Sequence, residues 1–397
     1  MSESNNRLTF SRRRMIKFAG LTALGLSWPF RKNISGFPVE DLMLYIGTYT
    51  NGRNESIYVY RLNLASGELQ PVTIGRGVVN PSYLAIDAQN RYLYAVNEVD
   101  QIGGKPNGGV TALAIDQQTG ELRVINQQSS QGRAPCYINI DPSGKYVLVA
   151  NYNSGSFAVL PINSDGSLGA AVDFVQDSGS GPNRGRQEGP HGHCILTDPL
   201  GSYAFAVDLG IDKVMIYNFN QGSGKLTPNT QPFFQAQPGA GPRHFEIHPN
   251  RQFAYVINEL NSTLTAFNYD NARGLLSELQ TVPTLPAGFT GTNTSADIHV
   301  HPSGKFIYGS NRGHDSIVAY TIDAATGRLT FLAHESTQGR TPRNFVIDPT
   351  GTYLLVANQD TNTVVTFRID QTTGRLISTG KVTSVPTPVC LKFAPSV

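Results

Sequence analysis

Three arginines, a histidine and a glutamate, scattered over 151 positions from His193 to Arg343, have side chains suited to one chemical task. Arg243, Arg312 and Arg343 each offer a planar fork that matches the oxygens of a carboxylate or phosphate two at a time. The same groups can steady an oxyanion forming on an attacked carbonyl. His193 is of the residue type that changes charge near neutrality, so it can take a proton from water. Glu259 can orient that imidazole or share the proton. His191 lies two residues earlier on an extended segment, faces the same way, and is a second candidate base. Together these side chains describe the opening or closing of an anionic acyl compound by positioned water. The pair His191 and His193 suggests metal binding only weakly: no nearby Cys or carboxylate completes a ligand set, and neither metal nor cofactor is expected.

These residues must be gathered by something, and a repeated hairpin does it. Six times a short apolar strand runs into a turn at Asp87, Asp141, Asp198, His248, His301 or Asp348, and a second strand leaves it. The turn residues recur every 47 to 57 residues. Asp-Pro and His-Pro followed by Ser-Gly, Asn-Arg or Thr-Gly suit tight hairpin turns. Counting five residues back from each turn gives Ser82, Cys136, His193, Arg243, Ala296 and Arg343 as equivalent positions. The second strands end in Asn97-Glu98, Asn151-Tyr152, Asp208-Leu209, Asn258-Glu259, Asn311-Arg312 and Asn358-Gln359. The start of one hairpin strand and the end of the other share an edge, so both sets face one mouth. Arg343, His191, His244 and Asp297 complete the residues expected to face substrate. For His244 and His299 a structural role is the more ordinary reading, and His248 and His301 replace a turn Asp and should form turns.

After each hairpin comes a second phrase, of alternating apolar residues, Asn or Asp, and a Gly leading into Leu. It occurs seven times, from SIYVYRLNLASGEL at Ser56–Leu69 to TVVTFRIDQTTGRL at Thr363–Leu376. A repeat of this length means one supersecondary unit stacked on itself, here a four-stranded antiparallel sheet. The seventh hairpin is split: Leu42–Thr50 supplies its second strand and Pro388–Pro395 its first. Pairing the two closes a circle without a long exposed edge. The fold predicted is all-β, a seven-bladed β-propeller over residues 37–397, nearly free of helix.

The segments GPHGHCILTDP, GPRHFEIHPN, YVINELNSTLTAF, LPAGFTGTNTSADIHVHPSGKFIYGSNRGHDSI and PRNFVIDPTGTYLLVANQDTNTV resemble the lactonase family of seven-bladed propellers. That family includes a bacterial 6-phosphogluconolactonase and, more distantly, a fungal carboxy-muconate cyclase. The resemblance spans nearly everything from Leu42 to Pro395 and implies a sugar-lactone substrate opened to its aldonic acid. From the cyclase branch it implies functional roles for His193, Arg243, Glu259 and Arg312. Muconate lactonisation and a non-catalytic propeller that binds a sugar or a protein are the other readings. No Gly-x-Ser-x-Gly elbow is present, so no acyl-enzyme is expected. The segments 177–188 and 286–295 are expected to cover substrate, because loops on a rigid scaffold usually carry recognition.

The first 36 residues are of another kind. Ser11-Arg12-Arg13-Arg14-Met15-Ile16-Lys17, followed by the apolar run Phe18–Phe30, resembles a twin-arginine export signal. It predicts an exported, periplasmic protein that uses the twin-arginine machinery and touches a membrane only through this leader. That segment holds seven of the chain's 31 Lys and Arg and one of its 29 acids, leaving residues 37–397 net acidic by four. Such a balance excludes a general nucleic-acid binder, which needs a basic face. Three dispersed cysteines, Cys136, Cys194 and Cys390, cannot form a disulfide framework and are expected to be small buried residues.

Overall fold

The computed structural model describes residues 41–394, and the leader expected over residues 1–36 lies outside them. Strands β1 (Leu42–Thr48) to β28 (Pro388–Phe393) form seven four-stranded antiparallel sheets, with no helix among the described residues. Six sheets use strands consecutive in the chain; the seventh has the order β28-β1-β2-β3, with β2 Glu55–Leu62 and β3 Leu69–Arg76. Leu44 pairs with Phe393 and Ile46 with Leu391. The predicted seven-bladed propeller and its closure by the two ends of the chain are thus what the structure holds. The first strand of every blade touches the first strand of the next all the way round, so seven inner strands surround one channel.

The repeated turn glycines explain why the phrase recurs so faithfully. Gly274 has φ of +71°, a backbone state that L side chains rarely adopt, and a Cβ there would stand 2.4 Å from Tyr203 Cδ1. Tyr203 begins the second strand of the preceding blade, so the glycine is the socket for an aromatic knob. Gly327 and Gly374 receive Phe253 and Phe306 in the same way, and Gly67 receives Tyr353 across the closing seam. Within each blade, alternate strand residues face neighbouring sheets, as Phe205 does in stacking on Phe245 with ring centroids 4.8 Å apart. Burying such a ring stabilises the fold by roughly 1.5–3 kcal/mol.

The hairpin turns behave as their residues require. Asp141 Oδ1 accepts the backbone N–H groups of Lys145 and Tyr146 at 2.9 and 2.8 Å. His248 and His301 substitute with Nδ1, which accepts the N–H of Asn250 or Ser303 at 3.1 Å. Their other nitrogens reach Gly304 O and Gly351 O in the following blade. Both are therefore turn formers that also tie blades together.

Asparagines at the second-strand ends make a further tie. Asn97, Asn151, Asn311 and Asn358 donate from Nδ2 to carbonyls of the preceding blade, at Val79, Ser130, Thr284 and Thr337. In the fourth blade this residue is Asp208, which has no N–H to give. Opposite it stands Asp177, and the Oδ2 atom of each carboxyl is buried without any other partner. Burial and the neighbouring Asp208 carboxyl push the Asp177 pKa up to about 8, which favours a proton on Asp177 beside the Asp208 carboxylate.

Candidate functional site at the channel mouth

Local backbone geometry aims the site. Six of the seven inner strands carry a β-bulge near the start, where an unpaired extra residue re-aims its side chain; β4 (Leu84–Ile86) of the second blade pairs without one. Cys136, His193, Arg243, Arg343 and Val389 are those extra residues. In β20 (Thr294–Val300) the irregularity takes in Ala296 and Asp297. The equivalence read from sequence spacing is a row of bulges, and the bulge turns its residue into the channel. At or one residue past the ends of the second strands stand Tyr49, Glu98, Tyr152, Leu209, Glu259, Arg312 and Gln359, a second ring.

Glu259 is the electrostatic centre. Its Oε2 lies 2.8 Å from Arg243 Nε and 2.8 Å from Arg312 Nη2, and its Oε1 is 2.5 Å from Arg186 Nη2. Burial works to raise its pKa, but Arg312, Arg243 and Arg186 overcome that and hold the carboxyl far below the usual range. A carboxylate so neutralised is a poor proton acceptor; it organises the guanidinium groups. Arg312 is pulled down to about 10 by burial and by Arg243 and Arg343, against the pull of Glu259. The mouth therefore holds more positive charge than its carboxylates balance.

A second layer fixes Arg243. Its Nη1 donates to Ala296 O at 2.6 Å and lies 3.2 Å from His244 Nε2. His244 Nδ1 is 2.7 Å from Asp297 Oδ1, whose other oxygen meets His299 Nε2 at 3.2 Å and Asn344 Nδ2. Burial and Arg243 lower His244 to about 4 despite Asp297, so the ring is neutral at pH 7. With Nδ1–H donated to Asp297, its Nε2 lone pair receives Arg243. His244 and Asp297 thus lie beneath the first ring and orient an arginine.

His193 sits in the first ring, its Nδ1 3.8 Å from Cys136 Sγ, with the His244 ring 5.2 Å and the Tyr152 ring 5.5 Å away between centroids. Burial, Arg243, His244 and Arg343 hold its pKa well below the ordinary histidine value. His191 is engaged at both nitrogens, with Tyr152 O at 3.0 Å and Glu188 Oε1 at 3.2 Å, and stacks on Tyr152. Arg343 has no ion-pair partner among the described residues and lies over the Tyr49 ring, 5.4 Å from its centroid.

His193, Arg243, Glu259, Arg312 and Arg343 are therefore brought to one mouth, while His191 flanks it. Sequence reasoning missed Arg186, which the 177–188 loop carries to Glu259 and Tyr152; no spacing rule marks a loop residue. It also passed over Tyr49 and Glu98, although Glu98 occupies the ring position of Glu259 three repeats earlier.

Comparison with known proteins agrees with this architecture. The family described as "Lactonase, 7-bladed beta-propeller" matches residues 43–393. A 6-phosphogluconolactonase of Bacillus subtilis is 40% identical over 349 residues, covering 88% of this chain and 97% of that protein. One from Formosa agariphila is 36% identical over 309 residues, 77% of this chain and 86% of its own. The solved structure of a periplasmic gluconolactonase from Pseudomonas aeruginosa superposes with a TM-score of 0.83 at 34% identity, covering 89% of this chain and 99% of that one. The chain belongs to the lactonase family of seven-bladed β-propellers.

Proposed function

We propose that this protein opens a sugar lactone to its aldonic acid by attack of water at the ring carbonyl. The observation that carries the reading is the charge of the mouth: Arg186, Arg243, Arg312 and Arg343 converge where Glu259 satisfies three of them, and Arg343 has no ion pair among the described residues. An anionic or strongly polarised oxygen is what such a group binds best, and hydrogen bonds to charged groups contribute about 1.5–3 kcal/mol each. In this reading Arg343 and the exposed edge of Arg312 hold the substrate and stabilise the tetrahedral oxyanion. Glu259 keeps the arginines in place, and neutral His193 offers a hydrogen bond to the attacking water from the channel side.

The sequence-based leader and the likeness to a periplasmic gluconolactonase support an exported enzyme acting on an unphosphorylated lactone. The test is direct. Purified protein is offered glucono-δ-lactone and its 6-phosphate near neutral pH, with the spontaneous opening rate subtracted. Catalysed opening of either supports the reading, and the ratio between the two identifies the substrate. A protein that binds gluconate saturably but opens neither lactone above background is a sugar-binding propeller instead. Fractionation of the source cells tests the export: the protein belongs in the periplasmic fraction if the leader works.

A further inference from the structure

The outer ring of the mouth carries two glutamates, from the second and fifth blades, and their surroundings push them towards different tasks. Glu259 is surrounded by guanidinium groups and cannot usefully accept a proton. Glu98 has no ion-pair partner among the described residues. Its two oxygens face the Tyr49 hydroxyl at 3.0 and 3.1 Å, and the side chain is half-buried. It lies close enough to Arg343 and Cys136 to bear on the charge of both, which places it at the same mouth. The arginines of the first two rings come from the fifth, sixth and seventh blades, whereas Tyr49 and Glu98 come from the first and second. The mouth thus has an arginine-bearing arc over the fifth to seventh blades and, beginning where Arg343 lies over the Tyr49 ring, a Tyr49–Glu98 pair whose carboxylate has no ion pair among the described residues.

We propose that Glu98 is the general base of lactone opening and that Tyr49 is the positioning residue that holds its carboxylate. This rests on the lactone-opening reading above. The balance is simple. Water forms a bond to the ring carbonyl carbon while Glu98 takes one of its protons, and the oxyanion faces the arginines. Collapse then breaks the bond between the carbonyl carbon and the ring oxygen. Glu98 returns the proton to that departing oxygen, and the new carboxylic acid releases its own proton to solvent. His193 is less suited to the task because Arg243 and Arg343 act on it, so a proton taken by its ring would add positive charge to a mouth already rich in guanidinium groups.

The experiment measures kcat and KM against pH for the parent chain, Glu98→Gln, Glu98→Asp, Tyr49→Phe and His193→Gln on whichever of the two lactones the parent opens. A positioned general base contributes typically 10²–10⁴-fold. Glu98→Gln is expected to lose about that much in kcat with little change in KM, and to lose the acidic limb of the rate profile. Glu98→Asp should regain part of the rate, Tyr49→Phe should fall between it and the parent, and His193→Gln should keep the limb. Near-ultraviolet circular dichroism confirms that each variant is folded. A folded Glu98→Gln protein with parental kcat, or an acidic limb that persists there and vanishes in His193→Gln, overturns the assignment while leaving the lactonase reading intact. A parent that opens neither lactone overturns both.

Discussion

Arg243 Nε stands 2.8 Å from Glu259 Oε2, with both side chains almost wholly withdrawn from water, at 2% and 4% exposure. Removing one member of such a buried pair leaves the other charge uncompensated, at a cost of about 3–5 kcal/mol. Glu259→Gln strips the shared partner from three guanidinium groups at once. Its thermal midpoint should fall well below that of the parent, and inorganic phosphate should restore part of the loss by binding the freed arginines. An unchanged midpoint without phosphate would contradict the central role given to this carboxylate.

Arg343 differs because it makes no ion pair among the described residues, although Glu98 lies near enough to act on its charge. Arg343→Ala should fold with a near-parental thermal midpoint yet lose about 10- to 100-fold in kcat/KM, the loss of one charged hydrogen bond to substrate. The loss should appear in both KM and kcat, because Arg343 holds the substrate and faces the oxyanion. A variant with parental KM and kcat would show that Arg343 touches neither the substrate nor the oxyanion.

The Asp177 and Asp208 pair makes stability depend on pH in a definite direction. Burial raises the folded-state pKa of Asp177 to about 8, above the unfolded value near ~3.9. The native state therefore binds an extra proton between these limits, and its stability from this pair is full below about pH 4 and lost as pH rises through about 8. Asp177→Asn supplies a permanent N–H to Asp208 in place of the titrating proton. Denaturation midpoints between pH 5 and 9 should fall less steeply in that variant than in the parent; equal slopes would remove the shared proton from the account.

Gly274→Ala tests the socket between blades. The added Cβ would meet Tyr203 at 2.4 Å with φ held at +71°, so strain and overpacking of roughly 1–3 kcal/mol are expected. Trimming the knob with Tyr203→Ala removes the clash but not the φ strain. The double variant should therefore lose less than the sum of the single losses, as residues in contact do.

Much of this molecule is readable in one dimension because its architecture is periodic. Alternation, Asp-Pro turns and the Gly-Leu phrase each recur with the blade, and the two unmatched half-hairpins at the chain ends already imply a ring. The same periodicity placed His193, Arg243, Glu259, Arg312 and Arg343 at a common edge, since equivalent positions of stacked sheets must face the same way. It could equally have marked Glu98, which holds an identical repeat position.

What each of those groups can do was settled only by folding. Whether a glutamate is a base or a counter-ion depends on what lies within about 3 Å of it, and the neighbours of Glu259 come from three separate stretches of chain. Arg186 reaches it from a loop that follows no repeat. His244 sits one layer down because the bulge at Arg243 displaces the residue beside it, and Asp177 meets Asp208 only across a blade interface. Periodic spacing dictates which residues share an edge; the charge state and task of each arise from contacts between segments distant in the chain.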